Sequence, residues 1–301
     1  MRRQAEFWKP LEDGKIQCLL CPKTCVLPER GFGLCQARQN KNHRMAIPFY
    51  GLVSSLALDP VEKKPLRHFL PGSLSFSVGF WHCTMRCPFC QNWEIAHPAN
   101  ARSFQTEGRG RSDSGIGGMY LDPGSLIEKA LDSGCPSISF TYSEPCLHTE
   151  YLLDSMELAR KRGLKTILVT NGCINPEPAR MLLERCDAAN VDLKTDSAET
   201  YRQTLGGDME TVHNFIRTAA ELCHLEVTSL LVPGILDQPE QIESIALFIA
   251  SVSKTIPLHI TAYHPAYRWQ KPCLSRLQTE KAAKPAFGIL DTIHLVLPFP
   301  Y

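Results

Sequence analysis

The 301-residue chain predicts an α/β fold: a partial, open (β/α)6 barrel behind a Cys-containing, loop-rich N-terminal segment. Three observations predict it. Strand-like and helix-like runs alternate after residue 73, which argues for a parallel sheet with helices outside it. Six strand-like runs are too few to close an eight-stranded barrel, so the sheet should remain open. The residues that end those runs are unusually polar, and ligands of parallel α/β folds gather outside the carboxyl ends of the strands.

Residues 1–72 read as a separate lead-in, and 73–301 as the barrel domain. Within the lead-in, Cys18, Cys21, Cys25 and Cys35 are interleaved with Pro22, Pro28, Gly31 and Gly33. Such a segment is too poor in apolar periodicity to fold on a core of its own, and a metal cross-linking the four thiols would supply the missing stability. Zinc fits four thiolates in a short Pro/Gly loop. A second iron–sulfur cluster fits equally well by ligand type and would relay electrons. Reduced thiols packed against the barrel are the plain alternative. Residues 40–43 read as a turn before a strand-like run at 45–58.

In the barrel domain the strand-like runs are 74–80, 137–142, 165–171, 189–194, 226–232 and 258–263. Between them, apolar residues at three and four spacing predict helices over 125–133, 148–162, 178–185, 212–223 and 241–252. Residues 102–118, rich in Gly, Ser and Arg without apolar period, predict a flexible loop. Toward the C-terminus a helix-like stretch is broken at Pro285, a short apolar run covers 292–297, and the chain stops abruptly at Pro298-Phe299-Pro300-Tyr301.

Composition excludes several classes. With 32 basic against 31 acidic residues, no global field draws nucleic acid or anionic lipid, and aromatics do not alternate with basic residues as on a nucleic-acid face. No stretch approaches 20 uninterrupted apolar residues and the N-terminus lacks the apolar core of a secretory signal, so a soluble, cytoplasmic protein is expected. Thirteen cysteines in a long chain, seven of them in two tight groups, point to metal ligation rather than disulfides. The other six, Cys135, Cys146, Cys173, Cys186, Cys223 and Cys273, read as buried small hydrophobes.

The chemistry centres on Cys83-Thr84-Met85-Arg86-Cys87-Pro88-Phe89-Cys90. Three thiols at spacings of three and two intervening residues all reach one centre when the segment is a loop leaving a strand end. Iron–sulfur clusters are normally held by four thiolates; three leave one iron without a protein ligand, where a small molecule binds. Zinc fits less well, because a structural site takes four ligands.

The Cys-x3-Cys-x2-Cys spacing with an aromatic before the last Cys resembles the cluster motif of the radical S-adenosylmethionine (radical SAM) enzymes. Asp59-Pro60, Glu62-Lys63-Lys64-Pro65-Leu66, His68-Phe69-Leu70-Pro71-Gly72-Ser73 and Cys90-Gln91-Asn92-Trp93-Glu94 resemble one branch, the AmmeMemoRadiSam-system enzymes, relatives of pyruvate formate-lyase activating enzyme. The likeness runs from about Cys18 to about Tyr267. It implies a TIM-like partial barrel as the radical SAM core, with a [4Fe-4S] cluster on Cys83, Cys87 and Cys90. It also implies S-adenosylmethionine (SAM) at the open iron, a low-potential electron donor and an unspecified substrate, a protein being one candidate. Electron transfer to SAM then gives methionine and a 5′-deoxyadenosyl radical that abstracts a hydrogen.

SAM carries an ammonium, a carboxylate, a ribose and an adenine, so its site needs an acid, a base, hydroxyl partners and a flat apolar face. The resemblance puts Ser143 and Glu144 on the amino group, Asp192 and Lys194 beside the cofactor with Lys194 on the carboxylate, and Asn171 and His264 at the ribose or carboxylate. Phe89 is expected near adenine, opposite the backbone of 232–234. From Pro272 onward the likeness thins, as in a truncated or divergent C-terminus. Competing readings are a glycyl-radical-enzyme activase and a non-catalytic metal-binding interaction protein.

Overall fold

A computed structural model describes residues 3–98 and 118–297. Its centre is an eight-stranded sheet. Strand β1 (Ser55–Pro60) runs antiparallel to β2 (Leu74–Gly79). Then β3 (Ser137–Thr141), β4 (Lys165–Thr170), β5 (Ala188–Asp192), β6 (His224–Leu231), β7 (Leu258–Ala262) and β8 (Ile293–Val296) follow in spatial order. Each is parallel to its predecessor. Among the described residues the edge strands β1 and β8 do not pair, so the barrel is open, as expected. Its edges nonetheless approach at one end, where His68, just beyond β1, meets His294 of β8 with nitrogens 2.8 Å apart.

Alternation along the strands sorts the two faces. On β2, Phe76 and Val78 join the main core with Leu126 and Leu152 of the helices, while Ser75 and Ser77 turn the other way and Ser75 Oγ lies 2.6 Å from Ser139 Oγ. The helices α1 (Pro123–Asp132), α2 (Thr149–Lys161), α3 (Pro176–Leu183), α4 (Met209–Leu222), α5 (Pro239–Val252) and α6 (Arg276–Ala283) cover the outside. On α4 the buried set is Val212, Phe215, Ile216 and Ala219, one stripe at three and four spacing.

Two strands exceed the six that the pattern predicts. The 45–58 run breaks at Gly51, whose φ of +79° and close approach to the Leu121 carbonyl (2.9 Å for an added Cβ) no other residue tolerates. Only its second half joins the barrel, as β1, so the barrel sheet begins inside the stretch set apart as 1–72. Strand β8 has four residues, all half-buried, too short to show a period. Helix α6 ends just before Pro285, and a 3-10 turn follows. The expected 102–118 loop, save Gly118, and the tail 298–301 lie outside the described residues.

The N-terminal segment forms a three-stranded antiparallel sheet of Trp8–Pro10, Ile16–Cys18 and Val26–Leu27 and a hairpin of Gln39–Lys41 with Arg44–Ala46. Its small core, Ile16, Leu20, Leu27 and Met45, is completed by Leu147 from the barrel. Residues 61–73 cross the amino end of the barrel. There Val61 and Leu66 pack on Ile167 and Ala188, and Asn190 Nδ2 donates to the Pro65 carbonyl at 2.9 Å.

Candidate metal centre at the strand carboxyl ends

The Cys83–Cys90 loop leaves the end of β2 without regular structure, so its backbone groups must be paired elsewhere. Four neighbours do this. Ser143 Oγ donates to the Phe80 and His82 carbonyls at 3.0 and 2.6 Å. The His82 N–H donates to Ile95 O, Arg86 N–H to Leu205 O, and Arg268 N–H to Pro88 O. Gln91 Nε2 reaches the His264 carbonyl at 2.8 Å, and Trp93 stacks on Tyr267 with ring centres 5.3 Å apart. The loop is thereby clamped between β2, the 201–206 turn and the 264–269 segment.

The three thiols are largely buried, and burial pushes each up from its ordinary pKa, Cys87 to about 11. Glu144 and Cys87 push Cys83 further. Lys194 pulls Cys87 and Cys90 partly back. Three adjacent thiols that resist ionisation on their own, beside one ammonium, fit a cationic cluster that would take them as thiolates.

Around them stand the polar strand ends. Asn171 Nδ2 contacts Thr84 Oγ1 at 3.1 Å and Cys83 Sγ at 3.5 Å, while its Oδ1 accepts from the Cys173 N–H at 2.9 Å. Lys194 Nζ pairs with Asp192 at 2.9 Å. Burial lowers the Lys194 pKa, but the pull of Asp192 and Cys87 outweighs it and leaves the group above its ordinary value, hence charged. Asp192 is 37% exposed and is the open member of the pair. Phe89 is buried in the main core, and His264 touches the loop through its backbone.

Glu144 lies beneath the loop. It is 0% exposed and accepts from the Cys146 N–H at 3.0 Å, Thr170 Oγ1 at 2.6 Å and the Asn171 N–H at 2.9 Å. Its side chain links the ends of β3 and β4. The Ser143 hydroxyl is likewise spent on the loop backbone. The adjacency of both residues to the cofactor motif is legible in the sequence, but which neighbours satisfy their oxygens is not.

Sequence reasoning missed Tyr201, whose phenol oxygen accepts the Lys194 N–H at 3.0 Å. It opens a π-helical stretch, Tyr201–Leu205, a geometry frequent at functional sites that no residue pattern announces. Also missed is the pair of Arg38 and Glu150 at 2.6 Å, each side chain 1% exposed, which ties the N-terminal segment to α2.

Cys18, Cys21, Cys25 and Cys35 border a cavity of about 270 Å³ that is also lined by His82, Cys83, Thr84 and Arg86. Of the Cys83–Cys90 set, Cys83 lines this space and Cys87 and Cys90 do not. Burial raises Cys18, Cys21 and Cys35, the last to about 11. No three of these sulfurs come within 4.8 Å of one another.

The family model described as the Radical SAM superfamily matches residues 82–249, a span holding the Cys83 loop and the polar ends of β3, β4 and β5. A Methanocaldococcus jannaschii protein, uncharacterized protein MJ0808, is 34% identical over 88% of this chain and 76% of its own. The pyruvate formate-lyase-activating enzyme of Clostridium pasteurianum is 22% identical over 62% of this chain and 74% of its own. The solved structure of TYW1 with a lysine-pyruvate adduct bound shares the fold, with a TM-score of 0.53 and 16% identity over 85% of this chain and 87% of that one. With more than half of its length, the cysteine loop included, matched by the family model, the chain belongs to the radical SAM superfamily and is a radical SAM enzyme.

Proposed function

We propose that Cys83, Cys87 and Cys90 hold the [4Fe-4S] cluster and that Lys194, oriented by Asp192, binds the carboxylate of SAM beside it. The observation that carries this reading is the convergence of the three thiols with the charged Lys194–Asp192 pair at the carboxyl end of the barrel. Asn171, in contact with the Cys83 sulfur and the Thr84 hydroxyl, offers its amide to the ligand. Glu144 and Ser143 keep this frame rigid. Phe89 and His264 complete the adenosine side. Together the cluster and SAM supply one-electron cleavage to methionine and a 5′-deoxyadenosyl radical that abstracts a hydrogen from the substrate. The electron comes from a low-potential donor.

The four N-terminal thiols, in this reading, hold a second iron–sulfur cluster. A lone zinc with its usual Zn–S bonds gathers sulfurs to roughly 3.8 Å of one another, tighter than the spread seen among these four. The cavity shared with Cys83 supports a relay of electrons between the two centres. The Cys18–Cys35 part of the N-terminal segment then acts as a metal-stabilised module on the barrel domain. All thirteen cysteines are free thiols, which supports the cytoplasm as the compartment. No helix among the described residues is long and apolar enough to cross a membrane. Similarity to activating enzymes supports a protein substrate.

The test is anaerobic reconstitution with iron and sulfide, reduction with dithionite and addition of SAM. Wild-type protein should release 5′-deoxyadenosine and methionine, and Cys87→Ala neither. A protein with its full cluster that releases no 5′-deoxyadenosine would refute the assignment. Metal analysis of Cys18→Ala should show iron lost with zinc unchanged.

A further inference from the structure

The end of the barrel opposite the cluster holds a group of side chains that the radical chemistry does not use. Glu226, near the start of β6, is 0% exposed. Its carboxylate accepts from the Arg67 and His68 N–H groups at 3.1 and 2.8 Å, from His224 Nε2 at 3.0 Å and from His259 Nε2 at 2.6 Å. Among the described residues no Lys or Arg side chain pairs with it; its ion-pair partners are only His224 and His259. A buried charge without a permanent counter-charge is costly. The compensating charge has to come from a proton on an imidazole or from a cation.

A second observation concerns the space in front of it. His68 Nε2 and His294 Nε2 are 2.8 Å apart, and with a Glu226 oxygen these ligand atoms all lie within 4.8 Å of one another. Two imidazoles on a tetrahedral zinc ion stand roughly 3.3 Å apart at the nitrogens, given Zn–N bonds of about 2.0–2.1 Å. A separation of half an ångström therefore turns this contact into a chelate. The surroundings suit that. Arg67 N–H and His259 Nε2 both hold Glu226 Oε2, the outer contacts that orient a metal-bound carboxylate. Oε1 keeps the His68 N–H and turns its other lone pair to the ion once His224, itself 30% exposed, gives up its hydrogen bond to water.

We propose that His68 Nε2, His294 Nε2 and Glu226 Oε1 bind one divalent transition-metal ion of the imidazole-preferring kind, zinc above all. Two nitrogens and one oxygen select against magnesium and calcium, which take oxygen ligands. The ion joins residues 61–73, which close the amino end of the barrel, to the edge strand β8, across the seam where β1 and β8 fail to pair. The His68-Phe69-Leu70-Pro71-Gly72-Ser73 motif thereby gains a task separate from SAM cleavage.

The test uses full-length protein with its iron–sulfur sites reconstituted and loosely held metal removed. Equilibrium dialysis against zinc chloride should leave one zinc per chain more on the wild type than on His68→Ala or His294→Ala. Thermal denaturation should show zinc raising the midpoint of the wild type and neither variant. His68 is exposed, so its removal leaves folding intact and keeps the comparison valid. Both variants should cleave SAM at the wild-type rate, which separates this site from the cluster reading. Equal zinc content in the wild type and both variants, or zinc that binds without moving the wild-type midpoint, would overturn the proposal.

Discussion

Lys194 shows how little of a residue's role is visible in its identity. Taken alone an Asp-x-Lys at a strand end is often a surface ion pair, and only its company of other polar strand ends and the family resemblance set Lys194 beside the cofactor. In the structure it is 18% exposed, paired with Asp192 and backed by Tyr201. Hydrogen bonds to charged groups contribute about 1.5–3 kcal/mol, so Lys194→Met should weaken SAM binding roughly ten- to hundredfold with cluster content unchanged. Equilibrium binding of SAM to reconstituted protein measures it. The thiols give a pH prediction. Because burial holds Cys83, Cys87 and Cys90 above their ordinary pKa, all three are protonated near neutrality and must lose protons to bind iron. Falling pH adds to that cost, so iron uptake should be weaker at about pH 6.5 than at about pH 8.5, as an anaerobic iron titration would show. Spacing made these cysteines legible. Glu144 was legible as an acid at a strand end, but its enclosure depends on Thr170 and Asn171, which reach it only after folding.

Elements were legible where periodicity is strong, and their edges where it is not. Helices α1 and α5 begin two residues before the predicted stripe, each opening on a proline, and α4 begins three before it, at Met209 behind the Asp208 cap. Asp122 accepts the Ser125 N–H on α1, and Asp208 accepts the Thr211 N–H on α4 at 2.8 Å. Asp208→Ala should cost about 1 kcal/mol by chemical denaturation, since it strips the cap without touching the core. The N-terminal segment is tied to α2 by Arg38 on Glu150, by the Glu6 N–H on Glu150 and by Arg3 on Asp154. Arg38 donates to both oxygens of Glu150 at 2.8 and 2.6 Å, and to the Glu6 carbonyl. Removing the charge of Glu150 leaves a buried guanidinium unpaired, a loss of about 3–5 kcal/mol, so Glu150→Gln should expose residues 3–46 to limited proteolysis before the barrel. Nothing in the sequence links positions 38 and 150, so this dependence was hidden.

At the scale of the whole molecule, the open barrel separates two ends. Thiols and polar strand ends gather at one, and the 61–73 plug with its histidines at the other. The α/β alternation, the open sheet and the position of the site all follow from the order of runs along the chain. The plug did not, because a four-residue edge strand and a loop 226 positions away from it meet only through the curl of the sheet. The alternative of a non-catalytic metal-binding protein falls with membership in an enzyme superfamily. What the account rests on is an iron that the protein leaves for SAM. Electron paramagnetic resonance of the dithionite-reduced, reconstituted protein tests this most directly: adding SAM should change the cluster spectrum in the wild type, and less so in Lys194→Met at the same SAM concentration. A spectrum indifferent to SAM, or one that shows a fourth protein ligand on the cluster, would contradict it.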